Sequence, residues 1–270
     1  MTNIVIGAAS GMGAAVARAL APRGRLIVAD RNLDDLKRVA AGLGDDVVTA
    51  GCDITDGRQV DELIDRIDEL DAVVLTAGIS TGSMAPGRRI FEVNLIGTAR
   101  VLAAVQPLLR PGAVGVCFGS ISAHRVPQQE NVLSALDDPL SDRFFEGLET
   151  LGVDPDMPQF AYPMSKCGIL RMVRRLAPSW GARGARILSV SPGINDTPMN
   201  RRDEERNPIM AKIIKNSPLG RRGRPEEVAD VVAFLTSEAA SYMTGSDVLI
   251  DGGMVAALPE DTTGGKGQRP

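Results

Sequence analysis

Short apolar runs rich in β-branched residues recur along this chain, separated by longer segments with helical spacing. The runs occupy 3–6, 25–29, 46–50, 72–76, 113–118, 185–191 and 247–251. Such short, continuously apolar stretches read as strands covered on both faces, the habit of a parallel sheet. Between the first of them, Met12, Val16, Ala19 and Leu20 share one helix face. Val60, Leu63, Ile64 and Ile67 share another. Further helices are expected at about 89–109 and 161–180. One more is expected from Pro225, where Glu226 and Glu227 suit the positive end of a helix dipole. Strand–helix alternation with short connections predicts an α/β fold, a single-domain, doubly wound parallel sheet of about seven strands with helices on both faces.

Three segments depart from the rhythm. Residues 124–159 open polar and then turn acidic with helical spacing, and predict a helical excursion at a cleft or an interface. Residues 198–218 mix charge ("NRRDEER") with apolar spacing at Ile209, Met210, Ile213 and Ile214. They suit either a lid with an apolar inner face or a helix packed on the core. The tail 259–270 is rich in Gly, Pro and polar residues and is expected to be disordered, leaving 1–258 as the domain.

Composition narrows the chemistry. The 270 residues carry a net charge of −4 without a basic stripe, which argues against nucleic acid or an anionic membrane surface as partner. No stretch approaches a membrane span, and no signal peptide opens the chain. Three cysteines, Cys52, Cys117 and Cys167, make a disulfide framework improbable and favour a reducing cytoplasm. His124 is the only histidine, so a zinc site or a Ser-His-Asp hydrolase has little to build on, and no metal is expected.

The chemistry suggested by position lies at the ends of the first strands. Gly7, Gly11 and Gly13 follow the first strand and open the first helix, with Ser10 and Met12 between them. Glycine there permits a tight turn and close backbone approach, and the helix N-terminus offers free N–H groups to a pyrophosphate. Asp30, at the end of the second strand, can accept both ribose hydroxyls and repel a 2′-phosphate, which favours NAD over NADP. Arg31 beside it would tolerate a phosphate if it turned inward. Asp53, before Ile54, could accept from an adenine amino group or cap the next helix. Tyr162 and Lys166 stand four residues apart, one helical turn, in a chain with only two tyrosines.

Glycine loop, acidic strand end and Tyr-x-x-x-Lys together resemble the short-chain dehydrogenase/reductase family over roughly residues 3–255. "LTAGI" resembles the family's Asn-Ala-Gly strand end, with Thr76 in place of Asn ahead of Ala77 and Gly78. "VNLIG" holds Asn94, "GSISA" holds Ser120, and "SPGINDT" holds Pro192, Gly193, Ile194 and Thr197. The resemblance implies a Rossmann-like fold and a homodimer or homotetramer. It also implies hydride transfer between NAD and a small hydrophobic alcohol or ketone. Tyr162 would then be the acid/base. Lys166 would lower the phenol's pKa and hold the nicotinamide ribose. Ser120, with Ser122 as the competing choice, would orient the substrate oxygen, and Asn94 would hold a water. Pro192, Gly193, Ile194 and Thr197 would face the nicotinamide. Ser120 and Tyr162 lie much further apart in sequence than the family expects, which marks 124–159 as an insertion. That arrangement resembles the bacterial 3α-hydroxysteroid dehydrogenase/carbonyl reductase group. The competing expectation is an NAD(H)-sensing binding protein on the same fold.

Overall fold

The computed structural model describes residues 2–44 and 46–257; the predicted tail 259–270 lies outside them. Seven parallel strands form one sheet: β1 Thr2–Ile6, β2 Arg25–Asp30, β3 Val47–Gly51, β4 Leu70–Leu75, β5 Val114–Phe118, β6 Arg186–Pro192 and β7 Asp247–Ile250. Their order is β3-β2-β1-β4-β5-β6-β7. The chain runs outward from β1 to β3, then returns to lay β4 on the other side of β1. The carboxyl ends of β1 and β4 therefore flank a crevice, the usual place for a ligand in a doubly wound sheet.

The helices are α1 Gly11–Leu20, α2 Leu33–Ala40, α3 Gly57–Ile64, α4 Gly87–Phe91, α5 Thr98–Val105, α6 Glu130–Leu133, α7 Phe144–Thr150, α8 Pro158–Gly181, α9 Pro198–Arg206, α10 Ile209–Asn216 and α11 Pro225–Leu235. Both faces of the sheet are covered, which is why the strands read as continuous apolar runs. Ile4 and Ile6 of β1 join the core layer containing Val60, Leu63 and Ile169. Val5, pointing the other way, joins the layer of α1 and α11 with Val16, Leu20, Val228 and Val232. Trp180 is fully buried, and its ring fills the space that a side chain on Gly115 of β5 would need.

The predicted elements stand with shifted edges. The strands expected at 46–50 and 72–76 run Val47–Gly51 and Leu70–Leu75. The helix expected at 161–180 starts at Pro158, where proline suits a first turn. The one expected at 89–109 is α4 and α5 joined through a π-helical turn, Glu92–Gly97, and it yields to a tighter turn around Pro107. Periodicity cannot register a single wide turn inside an otherwise regular helix.

The segment 124–159 is less helical than its sequence suggests: beyond a short turn, only α6 and α7 form before α8 begins. Leu133, Leu136, Phe144 and Leu148 sink into the main core, and Phe144 meets Phe91 edge to face at 5.6 Å. Arg171 of α8 clamps the segment by pairing with both Glu130 and Asp137. At the start of the segment, His124 Nε2 lies 3.0 Å from Asp247 Oδ2 on β7. Residues 198–218 are helical too. Ile213, Ile214 and Met210 pack on Ile194, Met254 and Ile121, while Ile209 stays exposed. Among the described residues no helix is long and apolar enough to cross a membrane.

Candidate active site

The end of β1 turns sharply into α1. Gly7 has φ +93°, and a side chain on it would overlap the Ala77 backbone beyond β4. A side chain on Gly13 would overlap the Gly7 carbonyl, so α1 approaches the loop only because residue 13 is glycine. Gly11, at φ +53°, lies against the Thr197 methyl group. The Thr76 hydroxyl, 2.9 Å from the Ile6 carbonyl and 3.0 Å from that of Gly7, ties the ends of β4 and β1 together. A hydroxyl thus supplies part of the anchorage expected of the family's asparagine.

These ends enclose a cleft of about 460 Å³. Gly7, Ser10, Gly11, Met12 and Gly13 form its floor; Asp30, Arg31, Asp53 and Ile54 close one end. Ala77, Gly78 and Thr197 line the rest. Asp30 accepts from the backbone N–H groups of Ala9 (3.1 Å) and Asn32 (2.9 Å), which fixes its carboxylate at the end of β2. Asp53 does not cap the next helix; Asp56 does. Burial pushes the Asp53 carboxyl up, but hydrogen bonds from Thr55 and the charges of Arg89 and Arg31 outweigh it, and its pKa falls. With Thr55 on Oδ1 and Arg89 on Oδ2, it is an anchored turn residue. The glycine floor, the helix N-terminus and the Asp30 carboxylate fit a dinucleotide: free N–H groups for the diphosphate and an acceptor for a ribose.

A second cluster stands where β4, β5 and α8 meet. Lys166 is buried, and its Nζ donates to the Phe118 carbonyl at 2.9 Å. Burial drops its pKa to about 8. Asn94 is wholly buried in the π turn; its side chain accepts from Ile79 N (2.8 Å) and donates to Ile79 O (3.0 Å) and Ser165 Oγ (3.3 Å). A side chain on Gly78 would stand 3.1 Å from Asn94 Oδ1 and 3.4 Å from Lys166 Nζ, so glycine keeps this corner open. Ser120 is near enough to the Tyr162 phenol to act on its pKa, in the downward direction. Ser122 serves Ser120 by donating its N–H to Ser120 Oγ at 3.2 Å, and its own buried hydroxyl has no partner among the described residues.

The expected depression of the phenol's pKa by Lys166 is absent from this arrangement. Burial raises the Tyr162 pKa; Ser120 opposes that, and the Asp203 carboxylate adds to it. The ammonium is turned toward the Phe118 carbonyl. Pro192, Gly193 and Ile194 do not line the main cleft. Gly193 lets the chain after β6 pass close to the end of β7, since a side chain on it would stand 2.8 Å from Asp251 Cα, and Ile194 packs under α10. The cleft also holds residues the motifs did not single out: Asn32, Asp35, Ser80, Ser83, Met199 and Arg202. Met199 and Arg202 were within reach of a sequence argument, since they follow Thr197 on the next helical turn. Ser80 was not, because what it meets, Asp203, lies 123 residues away.

The family model described as enoyl-(acyl carrier protein) reductase matches residues 7–136 and 152–255, leaving out the middle of the 124–159 segment. The chain is 33% identical to cis-4-hydroxycyclohexanecarboxylate dehydrogenase of Sinomonas cyclohexanicum, over 94% of this chain and 96% of that one. It is 31% identical to 3-alpha-hydroxysteroid dehydrogenase/carbonyl reductase of Comamonas testosteroni, over 96% and 98%. Among solved structures it superposes on levodione reductase with a TM-score of 0.77 at 26% identity, over 95% and 98% of the two chains. The glycine-floored cleft, the order of its strands and these likenesses along nearly the whole length lead to one conclusion: this chain belongs to the short-chain dehydrogenase/reductase family of oxidoreductases, whose members bind NAD or NADP.

Proposed function

We propose that the protein is an NAD-dependent alcohol dehydrogenase/carbonyl reductase that interconverts a hydrophobic secondary alcohol and its ketone, with a 3-hydroxysteroid as the type of substrate. The observation that carries this reading is the buried Lys166, one turn after Tyr162 on α8 and beside Asn94 and Gly78, at the edge of a cleft ending in Asp30.

When bound, the nicotinamide accepts or supplies the hydride. The chain's own residues manage the proton. In oxidation the Tyr162 oxygen takes the hydroxyl proton, and in reduction it returns one to the carbonyl oxygen. Ser120 Oγ, oriented by the Ser122 N–H, hydrogen-bonds the same substrate oxygen. Lys166 keeps a positive charge near the phenol at neutral pH and holds a ribose hydroxyl. Asn94 fixes the Ile79 backbone at the corner where a water would connect Lys166 to solvent. Asp30, held by two backbone N–H groups, accepts the adenosine ribose hydroxyls and disfavours a 2′-phosphate. Arg31, Asp53 and Ile54 border the adenine end, and Thr197 the nicotinamide end.

A hydrophobic substrate is supported by the apolar face of α10, which meets Ile121, the neighbour of Ser120. The two relatives are named for a hydroxycyclohexanecarboxylate and a hydroxysteroid, and both names share a secondary alcohol on a saturated ring. Three buried free thiols suit a reducing cytoplasm, and the exposed Phe160, Phe234, Tyr242 and Leu249 suit a homodimer or homotetramer.

The test is turnover of secondary alcohols and 3-hydroxysteroids with NAD⁺. Tyr162→Phe is expected to lower kcat by about 10²- to 10⁴-fold while NADH still binds. Full activity in Tyr162→Phe would refute the mechanism, and NADH binding without turnover of any alcohol would favour an NAD(H) sensor.

A further inference from the structure

Helix α9 lies across the substrate side of the cleft. Its first turn is secured at Thr197, whose hydroxyl accepts from Asn200 N at 3.2 Å. Its far end reaches the opposite wall. Ser80 Oγ donates to Asp203 Oδ1 at 2.8 Å, and Arg206 donates to the Gly82 carbonyl. Ser80 and Ser83 line the cleft from one side, Met199 and Arg202 of α9 from the other, so the clasp closes over it. The turn holding Gly82 also touches α8, the helix of Tyr162.

Two features single out Asp203 in this clasp. Among the described residues no cation lies within 4 Å of its carboxylate; Arg201 is engaged by Asp196 and Arg222 by Glu204. The only donor it meets is a neutral, buried serine. The fit is also close: a side chain on Gly82 would overlap Asp203 Oδ1 and stand 2.9 Å from its Cγ. Residue 82 must be this small for the carboxylate to sit where it does. Asp203 does not line the cleft itself but is joined to Ser80, which does; a charge held this way and left without a counter-ion acts on what the cleft holds, and it pushes the pKa of the phenol up.

We infer that Asp203 is a specificity-determining residue: a fixed negative charge that makes the site favour neutral alcohols and ketones over those carrying a carboxylate. The inference rests on the dehydrogenase reading above and deepens it. It sets this chain apart from the relative named for a hydroxycyclohexanecarboxylate. Arg202 is the opposing charge in the cleft; its Nε is occupied by the Pro198 carbonyl.

The experiment compares a hydroxycyclohexane bearing a carboxylate with the same alcohol as its primary amide, nearly equal in shape and different in charge. In the wild type the amide is expected to have a kcat/KM about five- to tenfold higher, the size of a like-charge effect in a half-open cleft. Asp203→Asn should bring the two substrates to near equality. Asp203→Glu, which keeps the charge but moves it off its seat against Gly82, should retain part of the discrimination, between the wild type and Asp203→Asn. Gly82→Ala, which leaves the carboxylate in the chain but pushes it off its seat, should erode it. Equal use of acid and amide by the wild type, or preference for the acid, overturns the inference and leaves the dehydrogenase reading standing. So does discrimination that survives in Asp203→Asn. A preparation that binds NADH yet oxidises neither of these alcohols, nor any secondary alcohol or 3-hydroxysteroid, with NAD⁺ or NADP⁺ overturns both.

Discussion

Lys166 is the residue on which burial and function pull hardest against each other. Its ammonium is enclosed, and the pKa drops from an ordinary 10.5 to about 8 because the charged form loses its hydration. The sign of the consequence for stability follows from proton counts. Below about 8 both folded and unfolded chains hold the proton, and the full cost of the buried charge is present. Between about 8 and 10.5 the unfolded chain still holds a proton that the folded chain has released, so this group makes stability rise with pH there. Lys166→Met lacks that term. The unfolding free energy of the wild type relative to Lys166→Met should therefore increase by about 2–3 kcal/mol between pH 7 and pH 10.5, read from denaturant titrations. A flat difference would mean that the ammonium is well solvated. Tyr162 and Lys166 were legible as a pair from their spacing alone. That Lys166 turns to the Phe118 carbonyl, 48 positions earlier, was not, because a spacing carries no information about what packs on it.

At the scale of elements, the 124–159 segment shows how a long connection is carried without a core of its own. Four apolar side chains anchor it, and Arg171 ties two of its acids to α8. Asp137 is largely enclosed, and its carboxyl is held below the usual range, first of all by the Arg171 hydrogen bond. Arg171→Ala should lower Tm by about 2–4 °C, with faster amide exchange concentrated around α6 and the turn after it. Exchange spread evenly over the molecule would show that the clamp is not local. The sequence announced this segment as a break in rhythm, but its acidic helical spacing overstated its helices. The contact of Phe91 with Phe144 anchors the start of α7, a part that is helical. Residues 198–218 form two helices: α10 lays its apolar face on Ile194 and Met254, while α9, nearly all polar, is kept in place by its clasp.

For the whole molecule, cofactor choice is the property with the clearest global readout. A ligand that binds only the folded state raises stability by about 2.7 kcal/mol at a hundred times its Kd. NAD⁺ should raise Tm more than NADP⁺ at equal concentration, and Asp30→Ala should narrow or reverse the difference. A wild type stabilised more by NADP⁺ would refute the role given to Asp30. The alternation of apolar runs and helical faces was enough to determine the doubly wound sheet, because strands buried on both sides must be apolar throughout. The glycines at the end of β1 were equally plain, since only backbone without a side chain permits that approach. What only the tertiary structure decided are contacts between distant parts of the chain: Thr76 on Gly7, Lys166 on Phe118, and Asp203 on Ser80. Periodicity records which face of an element is buried. It does not record the depth or the angle at which two faces meet, and that geometry sets which polar side chains find each other across the cleft.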